Sequence, residues 1–156
     1  MRAFLVFIIL GALSFSAKGA VPDALIYSKS ACFGPCPIYQ VIVFSDGTVI
    51  FNGMKYVKSE GFYKLERSPD LFQQILLITS KYNIKGLKDN YSYSDETSCK
   101  AMWTDHPTTT IRLQLDGRVK TIEHYLGCKG FEHEAELIAM ESELDKILGL
   151  RAYIGK

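Results

Sequence analysis

The sequence lacks a strong excess of charge of either sign and has no cluster of basic residues. It contains 18 Lys and Arg residues against 17 Asp and Glu residues, so its formal net charge at pH 7 is +1. Nucleic-acid binding depends on basic side chains that neutralise a run of phosphates. The sequence therefore predicts no nucleic-acid partner.

Long hydrophobic runs are also scarce, and the apolar run at residues 3–13 is shorter than the roughly 20 residues of a membrane-spanning helix. Arg2 precedes this run, and the small residues Ala17 and Gly19 follow it. This pattern is typical of a signal peptide, with cleavage after Gly19. It predicts export to the periplasm or cell envelope, or beyond the cell, with no membrane span after processing; an uncleaved membrane anchor is the alternative.

Residues 20–156 are enough for one domain with a single core. No G-x-S-x-G pattern supports a catalytic triad built from Asp105, His106 and His124 with a serine. The acidic residues between positions 87 and 107 match no calcium-binding spacing. We therefore expect no catalytic residue, no metal site and no cofactor, and a protein that is not an enzyme.

Cysteine is sparse but informatively placed, at Cys32, Cys36, Cys99 and Cys128. Exported compartments are oxidising, so these residues are expected to form two disulfides, for which three pairings exist. Gly34 and Pro35 can reverse the chain between Cys32 and Cys36. Cys99 can lie beside Cys128, and closing that loop would stabilise the fold by about 3–4 kcal/mol. Crossed pairing is the alternative.

Short apolar runs predict six strands, and two pairs of these strands are each joined by an Asp-Gly turn, at Asp46-Gly47 and at Asp116-Gly117. The first hairpin has apolar residues on both faces, which favours a central place in the sheet. The strands are at residues 24–30, 38–44, 48–51, 61–66, 110–115 and 118–124. Helical spacing predicts two amphipathic helices, one opened by Ser68 and Pro69 and the other at 131–148 with Gly149 as its stop. Strands and helices in separate runs indicate an α+β fold, with an antiparallel sheet of about five or six strands and two helices packed on one face.

Residues 32–39 read Cys-Phe-Gly-Pro-Cys-Pro-Ile-Tyr, and a strand, Asp46-Gly47 and a second strand follow. This stretch resembles the start of a widespread family of uncharacterised exported bacterial domains of unknown function, marked by C-F-G-x-C-P-x-Y and an Asp-Gly hairpin. The resemblance extends more loosely over residues 25–152. It implies export and a shared fold, and it supplies no activity and no catalytic residues.

A cysteine pair followed by proline is also the pattern of thiol-redox and copper-delivery proteins. Such a site would use Cys32 and Cys36 as soft sulfur ligands or reactive thiols, with His124 as a third ligand. In those proteins the cysteines begin a helix, whereas here Cys36 leads into a predicted strand. Thiol-redox or copper handling through this pair is therefore kept as the alternative function.

Aromatic and sulfur-containing side chains gather in the long segment before the second hairpin, at Tyr91, Tyr93, Met102 and Trp103. Because tyrosine and tryptophan dominate binding hot spots, exposed side chains of this kind would form a recognition surface. Equally, Trp103 could plug the open side of the sheet. The leading prediction is a non-catalytic, disulfide-stabilised binding module whose partner is a protein, peptide or glycan.

Overall fold

Sheet dominates the computed structural model, which describes residues 21–92 and 99–155. The strands found in that part of the chain are β1 (Ala24–Lys29), β2 (Ile38–Phe44), β3 (Val49–Lys55), β4 (Gly61–Leu65), β5 (Asn90–Tyr91), β6 (Ala101–Met102), β7 (Thr108–Leu115), β8 (Arg118–Tyr125) and β9 (Cys128–Lys129). Seven strands form one sheet in the order β4-β3-β2-β1-β7-β8-β5, and β6 pairs with β9 in a small second sheet.

Three helices accompany the sheets: α1 (Leu71–Lys81), α2 (Glu134–Leu148) and α3 (Arg151–Ile154), with a short 3-10 turn at Ile84–Gly86. The apolar stripe predicted for α1 is buried at Leu71, Phe72 and Ile75. Gly149 ends α2 in the left-handed conformation (φ 60°), as the sequence predicts. The start of α2 lies later than predicted, since residues 131–133 are not helical.

The predicted architecture of an antiparallel sheet with two helices is wrong. The main sheet is mixed, because β5 runs parallel to β8; a second sheet is present, and α3 is a third helix. The missed elements β5, β6 and β9 have two residues each, and α3 has four. Segments this short carry no readable periodicity, so tertiary contacts alone decide their conformation.

Both Asp-Gly turns join neighbouring strands, as predicted. Asp46 Oδ1 accepts a hydrogen bond from the Thr48 amide at 2.8 Å, and Gly47 takes a positive φ of 86°. Asp116 and Gly117 both have positive φ values, which two-residue hairpin turns require. These turns lie together at one end of the sheet.

The two faces of the sheet differ in burial. The inner face, which carries Leu25, Tyr27, Val41, Phe51 and Ile111, is fully buried and packs against the helices. The outer face carries Ile26, Ile42 and Ile50, which face each other across β1, β2 and β3 and are only half-buried. Burial on the inner face supplies most of the hydrophobic stabilisation.

Candidate functional site

Both disulfides lie at the end of the sheet opposite the Asp-Gly turns. The register places Lys29 at the end of β1 beside Tyr39 of β2 and Thr109 of β7, and Thr109 beside His124 of β8. We call this end, where β1 and β8 finish and β2 and β7 begin, the disulfide end. Loops from several strands converge here, as they do at many binding sites.

The first disulfide joins Cys32 and Cys36, whose Cα atoms are 5.7 Å apart, and closes the connection between β1 and β2. Within this loop the Gly34 amide donates a hydrogen bond to the Cys32 carbonyl, and Gly34 adopts φ 147°. Phe33 stands at the tip with 88% of its surface exposed. A covalently closed turn therefore holds a large aromatic ring in water.

The second disulfide joins Cys99 to Cys128, with Cα atoms 5.2 Å apart, beside the β6–β9 pair. The ladder continues to Trp103, whose amide donates to the Gly127 carbonyl at 2.8 Å. A side chain at Gly127 would collide with the Trp103 carbonyl oxygen, so only glycine allows this close approach. The Trp103 backbone is thereby fixed.

Trp103 is 59% exposed, although its surroundings are ordered. Tyr125 Oη donates a hydrogen bond to the Trp103 carbonyl at 2.8 Å, and the His106 amide donates to the same hydroxyl at 3.3 Å. The Lys129 ammonium lies 5.9 Å from the Trp103 ring centroid. The ring is therefore held at the surface and does not plug the sheet.

A cavity of about 750 Å³ opens between the two disulfide-bearing loops. Cys36 and Pro37 line it from the first loop, and Pro107 and Leu126 line it from the strands next to the second. The remaining lining includes Lys29, Tyr39, Asp145, Lys146, Leu150, Arg151 and Ile154. Its size and its mixture of apolar walls with a few polar groups are those of a ligand pocket.

Polar groups from the sheet and from α2 meet inside this cavity. Lys29 Nζ lies 3.0 Å from Asp145 Oδ2, and both side chains are partly exposed. Tyr39 lines the cavity and is itself buried. Burial, and secondarily the charge of Asp145, raise the pKa of Tyr39 far above the ordinary tyrosine value. Tyr39 therefore stays a neutral hydrogen-bond donor throughout the physiological pH range.

The basic side chains of the cavity outnumber the acidic ones. Lys29, Lys146 and Arg151 line it against Asp145. Because Asp145 already compensates Lys29, the remaining positive charge belongs to Lys146 and Arg151, near the end of α2. An acidic group on a ligand would find both favourable charge and the Tyr39 hydroxyl there.

The four residues predicted as a binding surface separate in the structure. Trp103 is exposed, and Met102 is half-buried against the core. Tyr91 is in the core: its ring packs 4.3 Å from Phe131, and its hydroxyl accepts a hydrogen bond from the Lys88 amide. The prediction that Tyr91 lies at the surface is therefore wrong, because β5 pairs with β8 and the Tyr91 ring is buried beside Phe131. Tyr93 lies outside the described residues.

Sequence reasoning missed Phe33, Tyr39 and the acidic residues of α2. A three-residue loop closed by a disulfide is too short to bury a large side chain, so the exposure of Phe33 could have been recognised. Glu141 and Asp145 fall on or beside the apolar stripe of α2 that contains Leu137 and Leu144. A carboxylate at such a position signals a buried polar partner.

His124 is not positioned as a ligand of the first cysteine pair. It is buried on the inner face, where its Nδ1 lies 2.8 Å from Glu141 Oε1. In the described part of the chain, no group of three or more His, Cys, Asp or Glu side chains could hold a metal ion. None of the helices described is long and apolar enough to cross a membrane.

The fold and the site define a sheet-rich domain whose connecting loops are closed by two disulfides. This chain belongs to the family described as "Domain of unknown function (DUF6438)", whose model matches residues 23–148. A search of curated proteins finds no match. The family resemblance is thus confirmed, whereas the role of residues 32–39 as its marker stays a prediction.

Proposed function

We propose that the protein is an exported, non-catalytic binding domain that captures a protein or peptide segment at its disulfide end. The observation that carries the proposal is the exposure of two aromatic side chains at this end: Phe33 in the loop that the Cys32–Cys36 bond closes, and Trp103 next to the β6–β9 pair beside the Cys99–Cys128 bond. Exposing such rings to water is unfavourable, and covering them with a partner would recover that free energy.

Rigidity of the two loops supports binding, because an ordered site loses little conformational entropy when a partner docks. The Cys32–Cys36 bond closes the Phe33 loop. The Trp103 backbone is held by the bond that its amide donates to the Gly127 carbonyl and by the bond that its carbonyl accepts from Tyr125 Oη. At the same end of the sheet, the cavity offers apolar walls at Pro37 and Pro107. A segment that crosses this end would place one side chain in the cavity and stack others on the rings.

The charge of the cavity favours a segment that carries an acidic side chain or a terminal carboxylate. Such a group would lie near Arg151 and Lys146 and accept a hydrogen bond from Tyr39. A glycan could also stack on the two aromatic rings. The apolar lining and the uncompensated cations fit an acidic peptide better, and the glycan becomes an outcome of the test.

The experiment is selection of a displayed random-peptide library on the processed protein, followed by titration of the selected peptides. Trp103 is the only tryptophan in the chain, so its fluorescence reports contact at the site directly. We expect Phe33→Ser and Trp103→Ser each to weaken binding by at least about tenfold in calorimetry.

Leu77→Ser is the matched control, since Leu77 is a comparably exposed apolar residue on α1, outside the cavity. Its affinity for the peptides should stay unchanged. Peptides that bind the two aromatic variants as tightly as the parent contradict the proposal. If no peptide is selected, and oligosaccharides bind and quench the Trp103 fluorescence, the site binds glycans and the peptide proposal is wrong.

Thiol-redox or copper chemistry at Cys32 and Cys36 is the second candidate. In its favour, both cysteines are half-exposed and Cys36 lines the cavity, so an external thiol can reach the bond. Against it, the pair precedes strand β2 and lacks the helix start that lowers a cysteine pKa. Competition with a Cu(I) chelator and turnover of a disulfide substrate test this candidate directly.

A further inference from the structure

The edge of the main sheet formed by β4 presents unpaired backbone groups. In the described part of the chain β4 is hydrogen-bonded only to β3, and it is the terminal strand of the sheet. An open edge strand is a template for pairing with another strand. The segment leading into it is held in place, since the Lys58 and Ser59 amides donate to the carbonyls of Ile154 and Tyr153 in α3.

Exposed apolar side chains concentrate at this same edge. Phe62 of β4 is 77% exposed, and Met54, Tyr56 and Tyr63 are exposed beside it. Phe62 faces Asn52 across the β3–β4 pair and lies on the outer face, on the same side of the sheet as Ile50. Exposed apolar side chains next to an open edge are typical of a protein–protein interface.

Charged residues of both signs recur through β4 and the residues that flank it. Lys58, Glu60, Phe62, Lys64 and Glu66 occupy every second position and are exposed, and of these Phe62 and Lys64 lie within β4. None of the four charged residues makes an ion pair within the described structure. Lys64 does act electrostatically on Asp46, whose pKa is lowered chiefly by hydrogen bonding to Thr48.

Antiparallel pairing of two copies of β4 about a two-fold axis at Phe62 would place Glu60, directly before β4, opposite Lys64 of the other copy, twice per dimer. Opposite charges directly across a strand pair are stabilising, and like charges are destabilising. An axis at Gly61 would oppose Glu60 to Phe62, and an axis at Tyr63 would oppose Glu60 to Glu66. Of these three registers, only the one at Phe62 places opposite charges across from each other.

We propose that the protein forms a symmetric dimer in which the two β4 strands pair in antiparallel orientation about Phe62 and join the two sheets. This interface is isologous, as two-fold symmetry requires. No residue of β4 lines the cavity at the disulfide end, so this dimer does not rest on the binding function proposed above. Phe62 packs against itself across the axis, between two pairs of opposite charges.

Sedimentation equilibrium of the processed protein tests the association, and charge reversal tests the register. Lys64→Glu would oppose Glu60 with a like charge twice per dimer, and we expect the dimer dissociation constant to rise at least about tenfold. The double variant Glu60→Lys with Lys64→Glu should restore it. Lys85→Glu, an exposed charge reversal on the 3-10 turn, should leave it unchanged.

A covalent readout tests the axis independently of affinity. Cα atoms of residues directly opposite in an antiparallel pair are about 4.5–5.5 Å apart, within disulfide range. Phe62→Cys should therefore oxidise to a covalent dimer, while Leu77→Cys should not. A monomer at the highest soluble concentration, a dimer insensitive to Lys64→Glu, or the absence of rescue in the double variant would overturn the proposal.

Discussion

The imidazole Nδ1 of His124 lies 2.8 Å from Glu141 Oε1, and both side chains are buried between the sheet and α2. The rings of Tyr91 and Phe131 stand edge-on to the imidazole at 6.3 and 5.4 Å. Among the residues that the structure describes, His124 Nε2 finds no hydrogen-bond partner. A polar contact therefore links β8 to α2 inside an otherwise apolar core.

Removing one partner of this pair leaves the other buried and unsatisfied. We expect Glu141→Ala to lower the free energy of unfolding by about 3 kcal/mol, because an uncompensated buried polar group carries its full desolvation cost. Urea unfolding, followed by circular dichroism, measures the loss.

The double variant His124→Leu with Glu141→Leu supplies the control. It removes both polar groups and keeps similar volume. Its loss of stability should therefore be smaller than the sum of the losses in His124→Leu and Glu141→Leu, each made alone. Strict additivity in that cycle would show that the two side chains do not interact and would contradict the pairing.

The long strands, the two Asp-Gly turns and both main helices were predictable because each carries a strong local signal. The apolar run at residues 38–44 and the glycine at the end of α2 are examples. The mixed character of the sheet was not predictable, since it rests on β5, which has only two residues. The direction of β5 depends on the path of the chain after α1, and tertiary contacts set that path.

The candidate site was predictable only in part. Trp103 is prominent because it is the single tryptophan and follows Cys99 closely in sequence. Nothing in the local sequence distinguishes Tyr91 from an exposed aromatic residue. It is only 1% exposed, because the pairing of β5 with β8 directs its ring toward Phe131. The cavity needs β1, β2 and α2 to meet, and no local pattern encodes that meeting.

Alkaline pH is expected to unfold the protein through its buried phenols. Burial first, and the charge of Asp145 second, raise the pKa of Tyr27 and Tyr39 above the ordinary value of about 10. Below pH 10 both residues are neutral in the folded and unfolded states, so stability is unaffected. Above it the unfolded chain loses these protons first, and stability falls as the pH rises.

Ultraviolet absorbance of tyrosinate as a function of pH measures this effect. Tyr39→Phe should shift the alkaline unfolding midpoint to higher pH, because one titrating phenol is removed. Tyr56→Phe is the matched control, as Tyr56 is exposed and should leave the midpoint in place. An equal shift in both variants would show that burial of Tyr39 is not the cause.

Trp103 and Tyr91 are expected to differ sharply in their effect on stability. Trp103→Ala should change the free energy of unfolding by less than about 1 kcal/mol, because most of the ring is already in water. Tyr91→Ala should cost about 3–5 kcal/mol, as it empties a core position beside Phe131. Thermal and urea unfolding of the two variants give the comparison, and a loss of several kcal/mol for Trp103→Ala would make it a core residue.

Intact mass of the exported protein tests both the leader and the two bonds. We expect residues 1–19 to be missing and thiol alkylation to fail before reduction, since all four cysteines are bonded. Under mild reductant the half-exposed Cys32–Cys36 bond should open before the other, because Cys128 is fully buried. Alkylation of Cys32 and Cys36 without any reductant would mean that the pair is a free dithiol in the exported protein. That result would favour redox or copper chemistry over partner binding as the function of the disulfide end. A protected pair would instead support the role of Phe33 as a rigidly held contact residue.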